Sequence, residues 1–394
     1  MSSGRDVVVS GAALTPYNRR KDNSSFRDWA FSAFNNALLK STLEHQDIDA
    51  LFVASESDFF TLQLNPATVI ANDTGLSGVS AARIEGGGAS GQLAVHAATR
   101  AIQSGQVSHA AVIGVDPSAS QLDAESVKNL YGFSFDAWTD GMTGVSATVL
   151  YALSFQSFMQ RMKFDASAQL AQVTIQNRAN AVKNPCAHLG IEHTAHDILN
   201  SPMIAAPYRR LHCSPLSDGA AALILSRSDC MPTQRNNAAR IVGTGAATDA
   251  LHLGARDDSG HFKAKQSAMQ RACKEARITP DQIGVAEVYD AYAGAQLQAI
   301  DALGLSKDLD CDLNAGDFSP DGRCPVNLSG GLMGQGAPAG AIGVGQTASI
   351  ALLLEGSYFE DLQLPNIPRY GLADTHGGVC TTSAVTIVAR SATA

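Results

Sequence analysis

Clusters of basic residues are missing from this sequence. Its 394 residues include 28 Lys and Arg against 37 Asp and Glu, which gives a formal net charge of −9. Contacts to nucleic-acid phosphates need clustered lysines and arginines. The composition therefore predicts a protein that does not bind nucleic acid.

Disulfide and zinc-ribbon patterns are missing as well. The seven cysteines form no C-x-x-C pair and stand at positions 186, 213, 230, 273, 311, 324 and 380. An odd number of scattered cysteines indicates neither a disulfide framework nor a structural zinc site. This usage fits a reducing cytoplasm.

Long apolar runs are also absent. No stretch approaches the roughly 18 residues needed to cross a bilayer, and the N-terminus has no basic segment followed by an apolar one, as a secretory signal would. We therefore expect a cytoplasmic protein without membrane insertion. Because 45% of the residues are hydrophobic and 16% charged, we expect a large core, and the length predicts two domains or one large two-part body.

An internal repeat is present. VVVSGAALTP from Val7 and RIVGTGAATD from Arg240 are both β-branched strands that run into a G-A-A turn. Each is followed by a helical pattern, an acidic turn and another strand, and similar apolar strands start at Ala221 and Ala384. Two copies of one β-α-β-containing unit are indicated, with largely parallel sheets covered by helices.

The repeat predicts an N-terminal half over 1–232 and a C-terminal half over 233–394. The first half carries an insertion at about 118–206 with Gly-rich, aromatic and helical pieces. Insertions of this length are usually lids or substrate loops. The alternative is a structural elaboration or a dimer contact.

Five segments in order resemble the motifs of one known family. They are Ile84–Gly105, Cys213–Leu225, Glu287–Leu305, Asn327–Gly343 and His376–Arg390. Together they resemble the thiolase superfamily, most closely its branch of sterol-carrier-type thiolases and thiolase-like acyl-CoA aldolases. The resemblance implies an α/β thiolase fold, with two repeated β-α-β-α-β-α-β-β halves in a five-layer α-β-α-β-α arrangement.

The departures from that family pattern predict a change of chemistry. Gly88 stands where the resemblance places the nucleophilic cysteine, Ala337 stands at the histidine of the G-H-P motif, and Tyr289 stands at an Asn or His position. His376 keeps its family identity. Glycine has no side chain, so no acyl-enzyme can form at Gly88. The loss of the Cys and His side chains is also expected to clear space for a bulky substrate carbon.

The remaining groups suit acid/base cleavage of a carbon–carbon bond. Tyr289 is expected to act as base or proton relay to a substrate hydroxyl, or else to pack with its hydroxyl on a neighbour. Asp290 either orients Tyr289 or bonds backbone amides. His376 is expected to move a proton at the α-carbon, with a purely structural histidine as the alternative.

The predicted substrate contacts are main-chain groups and small residues. The amides of Gly87, Gly88 and Ala89 are expected to bind an oxyanion. Three further positions, Asn327, Gly331 and Ala337, belong to the glycine-rich segment expected to pack around the acyl chain and pantetheine.

Other candidates have a simpler interpretation. Ser90 is expected to cap or pack at a helix start, Tyr292 to lie in the core, and Cys380 to be buried and inert. His188, His193 and His196 are expected to be loop histidines, because no carboxylate pattern accompanies them. No metal is expected, and no cofactor except coenzyme A as part of the substrate.

Three functions follow from the resemblance. The first is an aldolase that cleaves a β-hydroxyacyl-CoA, such as a steroid side-chain thioester, into a ketone or aldehyde and propionyl-CoA or acetyl-CoA. The second is a non-catalytic scaffold that binds acyl-CoA or lipid. The third is an acyltransferase that uses a noncanonical residue. The family also implies a homodimer and a small partner that combines an OB-fold with a zinc ribbon.

Overall fold

The computed structural model describes residues 6–19, 23–162, 166–231 and 238–391. The strands in these ranges are β1 (Val7–Leu14), β2 (Ala50–Ala54), β3 (Ser80–Ile84), β4 (His109–Pro117), β5 (Met203–Ala205), β6 (Tyr208–Arg209), β7 (Asp218–Arg227), β8 (Arg240–Thr248), β9 (Val285–Glu287), β10 (Tyr370–Gly377) and β11 (Thr382–Ala389). The helices are α1 (Phe26–Ser41), α2 (Asp58–Thr61), α3 (Pro66–Asp73), α4 (Ser90–Ser104), α5 (Ala124–Gly132), α6 (Ala147–Met162), α7 (Ser167–Val182), α8 (Ala195–Asn200), α9 (Lys263–Ala276), α10 (Ala293–Ala302), α11 (Leu309–Asn314), α12 (Gly331–Gly334) and α13 (Ala339–Glu355).

The main sheet confirms the internal repeat, but the expectation of largely parallel sheets is wrong, because the described strands of this sheet pair more often antiparallel than parallel. Its strand order is β3-β2-β4-β7-β1-β8-β11-β10-β9, so the first strands of the two halves, β1 and β8, are neighbours in the middle. On one side β2 and β4 are parallel and β4 and β7 antiparallel. On the other side β9 and β10 are parallel and β10 and β11 antiparallel. The predicted boundary at 232/233 falls outside the described residues.

Alternate residues of the strands face two different helix layers. In β7, Ala220, Ala222 and Ile224 pack with α1, whereas Ala221, Leu223 and Leu225 pack with α4 and α13. Because successive side chains of a strand point to opposite faces, a strand covered on both faces has a continuous apolar run. The run AALIL is such a strand.

Helices α4 and α13 form the central layer. All residues of α13 from Ala339 to Leu354 are buried, as expected for a helix that is apolar all round. The two helices meet at glycines, because a Cβ on Gly91 would lie 2.8 Å from the Cα of Gly343. With α1 outside one half-sheet and α9 packed on β8 and β11 outside the other, the predicted five layers are present.

The insertion after β4 is mainly helical. It contains α5 to α8 and ends at β5. Phe155 and Phe158 of α6 and Leu170 and Val173 of α7 belong to the same apolar cluster as α9 and α10. The insertion therefore lies over the C-terminal half. Within the described ranges, no helix is both long and apolar enough to span a membrane.

Candidate active site

The candidate site lies where parallel strands of both halves end. Glu56 follows β2, the glycine turn at 86–88 follows β3, Tyr289 follows β9, and His376 is near the end of β10. In each half these strands are parallel neighbours, so their carboxyl ends meet at one edge. Ligand sites of open α/β sheets form at such edges.

The glycine turn is held rigidly at the start of α4. Gly87 has φ 59°, a left-handed conformation that favours glycine. The Ser90 hydroxyl accepts from the Gly86 amide at 3.0 Å and donates to the Gly87 carbonyl at 2.6 Å. Ser90 thus closes the turn at the helix start.

The phenol of Tyr289 fills the space beside Gly88. A Cβ on Gly88 would lie 2.5 Å from the Tyr289 hydroxyl and 2.5 Å from the His376 carbonyl oxygen. The expectation that Gly88 opens room for a substrate carbon is therefore wrong, because the tyrosine takes that room. Gly88 and Tyr289 are a matched pair, in which the small residue admits the large one.

Gly88 and Tyr289 both line a cavity of about 330 Å³. The insertion supplies one wall, including Tyr131, Phe135, Thr148 and Tyr151. The opposite wall includes Ala337, whose amide donates to the Ser217 hydroxyl at 3.1 Å. The insertion thus contributes side chains to the cavity, and its role as a substrate loop stays a prediction.

The Tyr289 hydroxyl is a poor base by itself. Burial, with further contributions from Glu56, Tyr292 and Asp290, raises the pKa of Tyr289 far above its usual value. The phenol therefore stays protonated near neutral pH. The phenol can take a proton from a substrate only if it passes its own proton to another group.

His376 lies behind the cavity wall. Its Nε2 is 2.8 Å from the Tyr151 hydroxyl, which itself donates to the Gly378 carbonyl at 2.5 Å. Because the tyrosine proton is used there, Nε2 carries the histidine proton and Nδ1, which has no partner, is unprotonated. Burial, followed by Lys265 and Arg256, lowers the pKa of His376 well below its usual value. The neutral ring sits 4.4 Å from the Tyr289 ring, centroid to centroid, and does not line the cavity.

Asp290 is turned away from the cavity. Its carboxylate accepts from the Leu332 amide at 2.6 Å and from the Asn177 side chain at 2.8 Å. Burial raises the pKa of Asp290 to about 8, and these donors oppose the rise. Of the two interpretations, the geometry matches the one in which Asp290 bonds backbone amides, here at the start of α12.

Asn327 and Gly331 support the same loop. The Asn327 side chain accepts from the Val288 amide at 2.8 Å and donates to Gln296 at 2.8 Å. Gly331 has φ 60°, and a Cβ there would overlap the Asp290 carboxylate. Neither residue is among those that line the cavity. Both hold the segment that carries Tyr289.

The predicted oxyanion donors are mostly occupied. The Gly87 amide donates to the Glu85 carboxylate at 2.7 Å, and the Ala89 amide donates to the Gly86 carbonyl at 3.1 Å. The Gly88 amide is the remaining candidate of the three.

Glu56 is a cavity residue that the sequence reasoning missed. Its half-buried side chain lines the cavity together with Gly88 and Tyr289. Burial, with the nearby charges of Asp116 and Glu85, raises its pKa to about 8. The sequence signal was limited to its place after the strand-like run DIDALFVAS. That this strand pairs in parallel on both sides, so that its carboxyl end is a place where functional side chains collect, is seen only in the fold.

A buried ion pair lies beneath the site. Lys265 of α9 and Asp374 of β10 are both fully buried and pair with each other. Asp374 also accepts from the Tyr289 amide at 3.3 Å. This pair therefore helps to fix the backbone that carries the phenol.

The thiols and the insertion histidines do not form a metal centre. Cys213 lines the cavity, and burial raises its pKa to about 12, whereas Cys380 is fully buried. His188 is 2.8 Å from the Ser217 hydroxyl. Within the described ranges, no group of three or more His, Cys, Asp or Glu side chains is arranged to hold a metal ion.

Comparison with known proteins identifies the family. Residues 245–390 match the family model described as thiolase C-terminal domain-like. The chain is 31% identical over 389 residues to an acetyl-CoA acetyltransferase of Methanothermobacter thermautotrophicus, covering 98% of this chain and 100% of that protein. It is 24% identical over 376 residues to sterol carrier protein 2 of Gallus gallus, covering 89% of this chain and 66% of that protein.

A solved structure confirms the fold. The Ltp2-ChsH2(DUF35) aldolase superposes with a TM-score of 0.83 at 21% identity, covering 98% of both chains. At that identity the similarity establishes architecture only. Together with the nearly full-length relative, these findings show that the chain belongs to the thiolase superfamily.

Proposed function

We propose that this protein is a carbon–carbon lyase of thiolase fold that cleaves a β-hydroxyacyl-CoA by a retro-aldol reaction. The observation that carries the proposal is the Tyr289 hydroxyl, which occupies the space beside Gly88 at the start of α4. Gly88 has no side chain to take an acyl group. The phenol of Tyr289, which can move a proton, lies in its place.

The reaction needs proton transfers and no covalent intermediate. The proton of the β-hydroxyl leaves, the Cα–Cβ bond breaks, and its electrons move to the thioester as an enolate. The β-carbon becomes a ketone or aldehyde, and the enolate takes a proton at Cα to give the shorter acyl-CoA. Tyr289 exchanges the proton with the hydroxyl, and the Gly88 amide donates to the enolate oxygen.

His376 and Asp290 have indirect roles in this proposal. His376 holds Tyr151 and packs on Tyr289, and Asp290 fixes α12 beside the cavity. Neither touches the space where substrate would lie. Both are therefore positioning residues for Tyr289 and the cavity wall.

The proposed substrate is a CoA thioester with a bulky, branched hydroxyl carbon, as in a steroid side chain. Small residues on one wall, including Ala337, leave room for such a group. The products would be a ketone or aldehyde with propionyl-CoA or acetyl-CoA. The resemblance to the family implies a homodimer and a small OB-fold/zinc-ribbon partner, and we propose both for this protein. The name of the solved aldolase joins two components, Ltp2 and ChsH2(DUF35), which supports the proposal of a heteromeric assembly.

The test is incubation with a β-hydroxyacyl-CoA that bears a tertiary alcohol, with and without the partner. Mass spectrometry follows the release of short acyl-CoA. Tyr289→Phe should lower kcat by about 10²–10⁴-fold, the usual contribution of a general acid or base. Tyr358→Phe is the matched control, because the Tyr358 hydroxyl bonds Ser349 away from the cavity.

Two outcomes would replace the proposal. Tight acyl-CoA binding by the wild-type protein without any cleavage would favour the scaffold function. An acyl adduct on Cys213 would favour acyl transfer, the activity named for the archaeal relative, since this thiol does line the cavity. A Tyr289→Phe variant that cleaves at the wild-type rate would show that the phenol is not the proton carrier.

A further inference from the structure

Glu56 stands in the wall between two cavities. It lines the cavity that contains Gly88 and Tyr289, and it also lines a second cavity of about 390 Å³ beside Glu85 and Gly87. Its backbone is fixed, because the Glu56 amide donates to the Asp116 carboxylate at 2.8 Å. The side chain is therefore presented to the site from a rigid strand end.

The Glu56 carboxyl has fewer hydrogen bonds than the carboxylates around it, because the Tyr131 hydroxyl donates to it while Oε2 is left without a partner. Its neighbour Asp116 accepts from the Ser55 hydroxyl and from the amides of Glu56 and Gly340, each at 2.8 Å. Glu287 likewise accepts from both the amide and the hydroxyl of Ser329. In contrast, Oε2 of Glu56 is buried and has no partner. Buried polar atoms are nearly always paired, so an unpaired one invites a functional explanation.

The proposed lyase reaction needs a proton acceptor besides the phenol. Tyr289 is held protonated, so it can take the substrate proton only by passing on its own. Glu56 and Tyr289 flank the same turn, because a Cβ on Gly87 would lie 3.7 Å from Glu56 Oε1 and a Cβ on the next residue, Gly88, would lie 2.5 Å from the Tyr289 hydroxyl. Among the charged groups that raise the pKa of Tyr289, Glu56 has the largest effect. The carboxyl and the phenol thus approach the same two-residue turn.

We propose that Glu56 is the proton acceptor of this site and that it exchanges a proton with the substrate through the Tyr289 phenol. The assignment rests on the proposed function. As the β-hydroxyl loses its proton to Tyr289, Tyr289 gives its proton to the Glu56 carboxylate. After the Cα–Cβ bond breaks, the same proton returns through Tyr289 to the enolate carbon. Protons and electrons balance without any further reactant.

The surroundings of Glu56 suit both directions of transfer. The groups that face it are Asp116 from β4, Glu85 from the turn after β3, Tyr131 from α5, and Tyr289. Burial and the two carboxylates hold its pKa near 8, while a hydrogen bond from Tyr131 opposes the rise. A group with a pKa close to the working pH serves efficiently as both base and acid. The carboxylate form increases as the pH rises through 8, so the rate should increase over the same range.

The test is a pH profile of kcat/KM from pH 6 to 9.5 with the substrate used above. We expect the wild-type rate to rise with a midpoint near pH 8. Glu56→Gln should lower kcat by at least about 10²-fold, leave KM nearly unchanged and remove the rising limb. Glu85→Gln, which removes the smaller of the two charge effects on Glu56, should keep the rising limb with its midpoint moved to lower pH.

Unfolding measurements separate this role from a structural one. Glu56→Gln replaces a buried carboxyl that has one unpaired oxygen by a neutral amide that can still accept from Tyr131, so its unfolding midpoint should equal or exceed that of the wild type. In Glu56→Ala, added formate or acetate should restore part of the lost rate. A Glu56→Gln enzyme with the wild-type rate and pH limb would overturn the assignment while leaving the lyase function intact. A wild-type protein that cleaves nothing at any pH would overturn both.

Discussion

Gly88→Ala is the sharpest test of how Gly88 and Tyr289 share one space. The added Cβ would lie 2.5 Å from both the Tyr289 hydroxyl and the His376 carbonyl oxygen. Each distance is about 1 Å short of ordinary van der Waals contact. His376 is paired with Ser383 inside the sheet, so the backbone resists movement and the phenol must shift.

Overpacking of this kind costs about 1–3 kcal/mol. We therefore expect Gly88→Ala to reduce the free energy of unfolding in urea by about that amount. The displaced phenol should also lower cleavage about 10²-fold, the typical effect of a 1 Å misplacement. Gly88→Cys should fail to create thiolase activity, because its Cβ would meet the same two atoms.

Gly132→Ala is the control, since a Cβ there meets nothing within 4 Å. Its stability should be unchanged or slightly higher. The double variant Gly88→Ala/Tyr289→Phe should lose less stability than the two single losses added together, because residues in contact couple. Wild-type stability and activity in Gly88→Ala would refute the shared-space interpretation.

Three further predictions concern the surroundings of the site. Asp290→Ala should reduce the free energy of unfolding by about 1–3 kcal/mol, because it leaves buried donors at α12 unsatisfied; Asp290→Asn, which keeps an acceptor, should lose less, and equal losses would contradict this. Lys265→Met should reduce the free energy of unfolding in urea by about 3–5 kcal/mol, because Asp374 is left buried and charged. Adding Asp374→Asn should recover part of the lost stability. No recovery would mean that the loss comes from packing. In peptide mapping after iodoacetamide treatment at pH 8, the exposed Cys311 should react well before Cys213, whose raised pKa of about 12 leaves almost no thiolate; rapid alkylation of Cys213 would reopen acyl transfer.

Some site residues could be predicted because they lie in local motifs. Gly88 is in a glycine turn before a helix, and Tyr289 follows a strand in a recognisable segment, so both could be located from their neighbours in the chain. Glu56 is in no such segment. It becomes visible only when the ends of β2, β3 and β9 are brought to one edge of the sheet.

The direction of a side chain could not be predicted in the same way. Asp290 and His376 are candidates by their position in the chain. In the structure, however, the Asp290 carboxylate faces α12 and the His376 ring lies behind Tyr151. Which way a residue points depends on hydrogen-bond partners more than 40 positions away. Tertiary packing decides which distant residues become such partners, and the neighbouring residues in the chain do not reveal it.

Patterns within the sequence predict the thiolase fold and single out Gly88, the position where the resemblance places a cysteine. Hydrophobic periodicity, the internal repeat and the ordered motifs are properties of residues that are near each other in the chain, so they can be recognised in the sequence. The packing of distant segments is needed to see that the Tyr289 hydroxyl fills the space where a side chain at position 88 would lie, and that Glu56 shares the cavity. Those facts depend on distances of a few ångströms between segments from both halves, and only the packing of the central helices and sheet edges sets such distances.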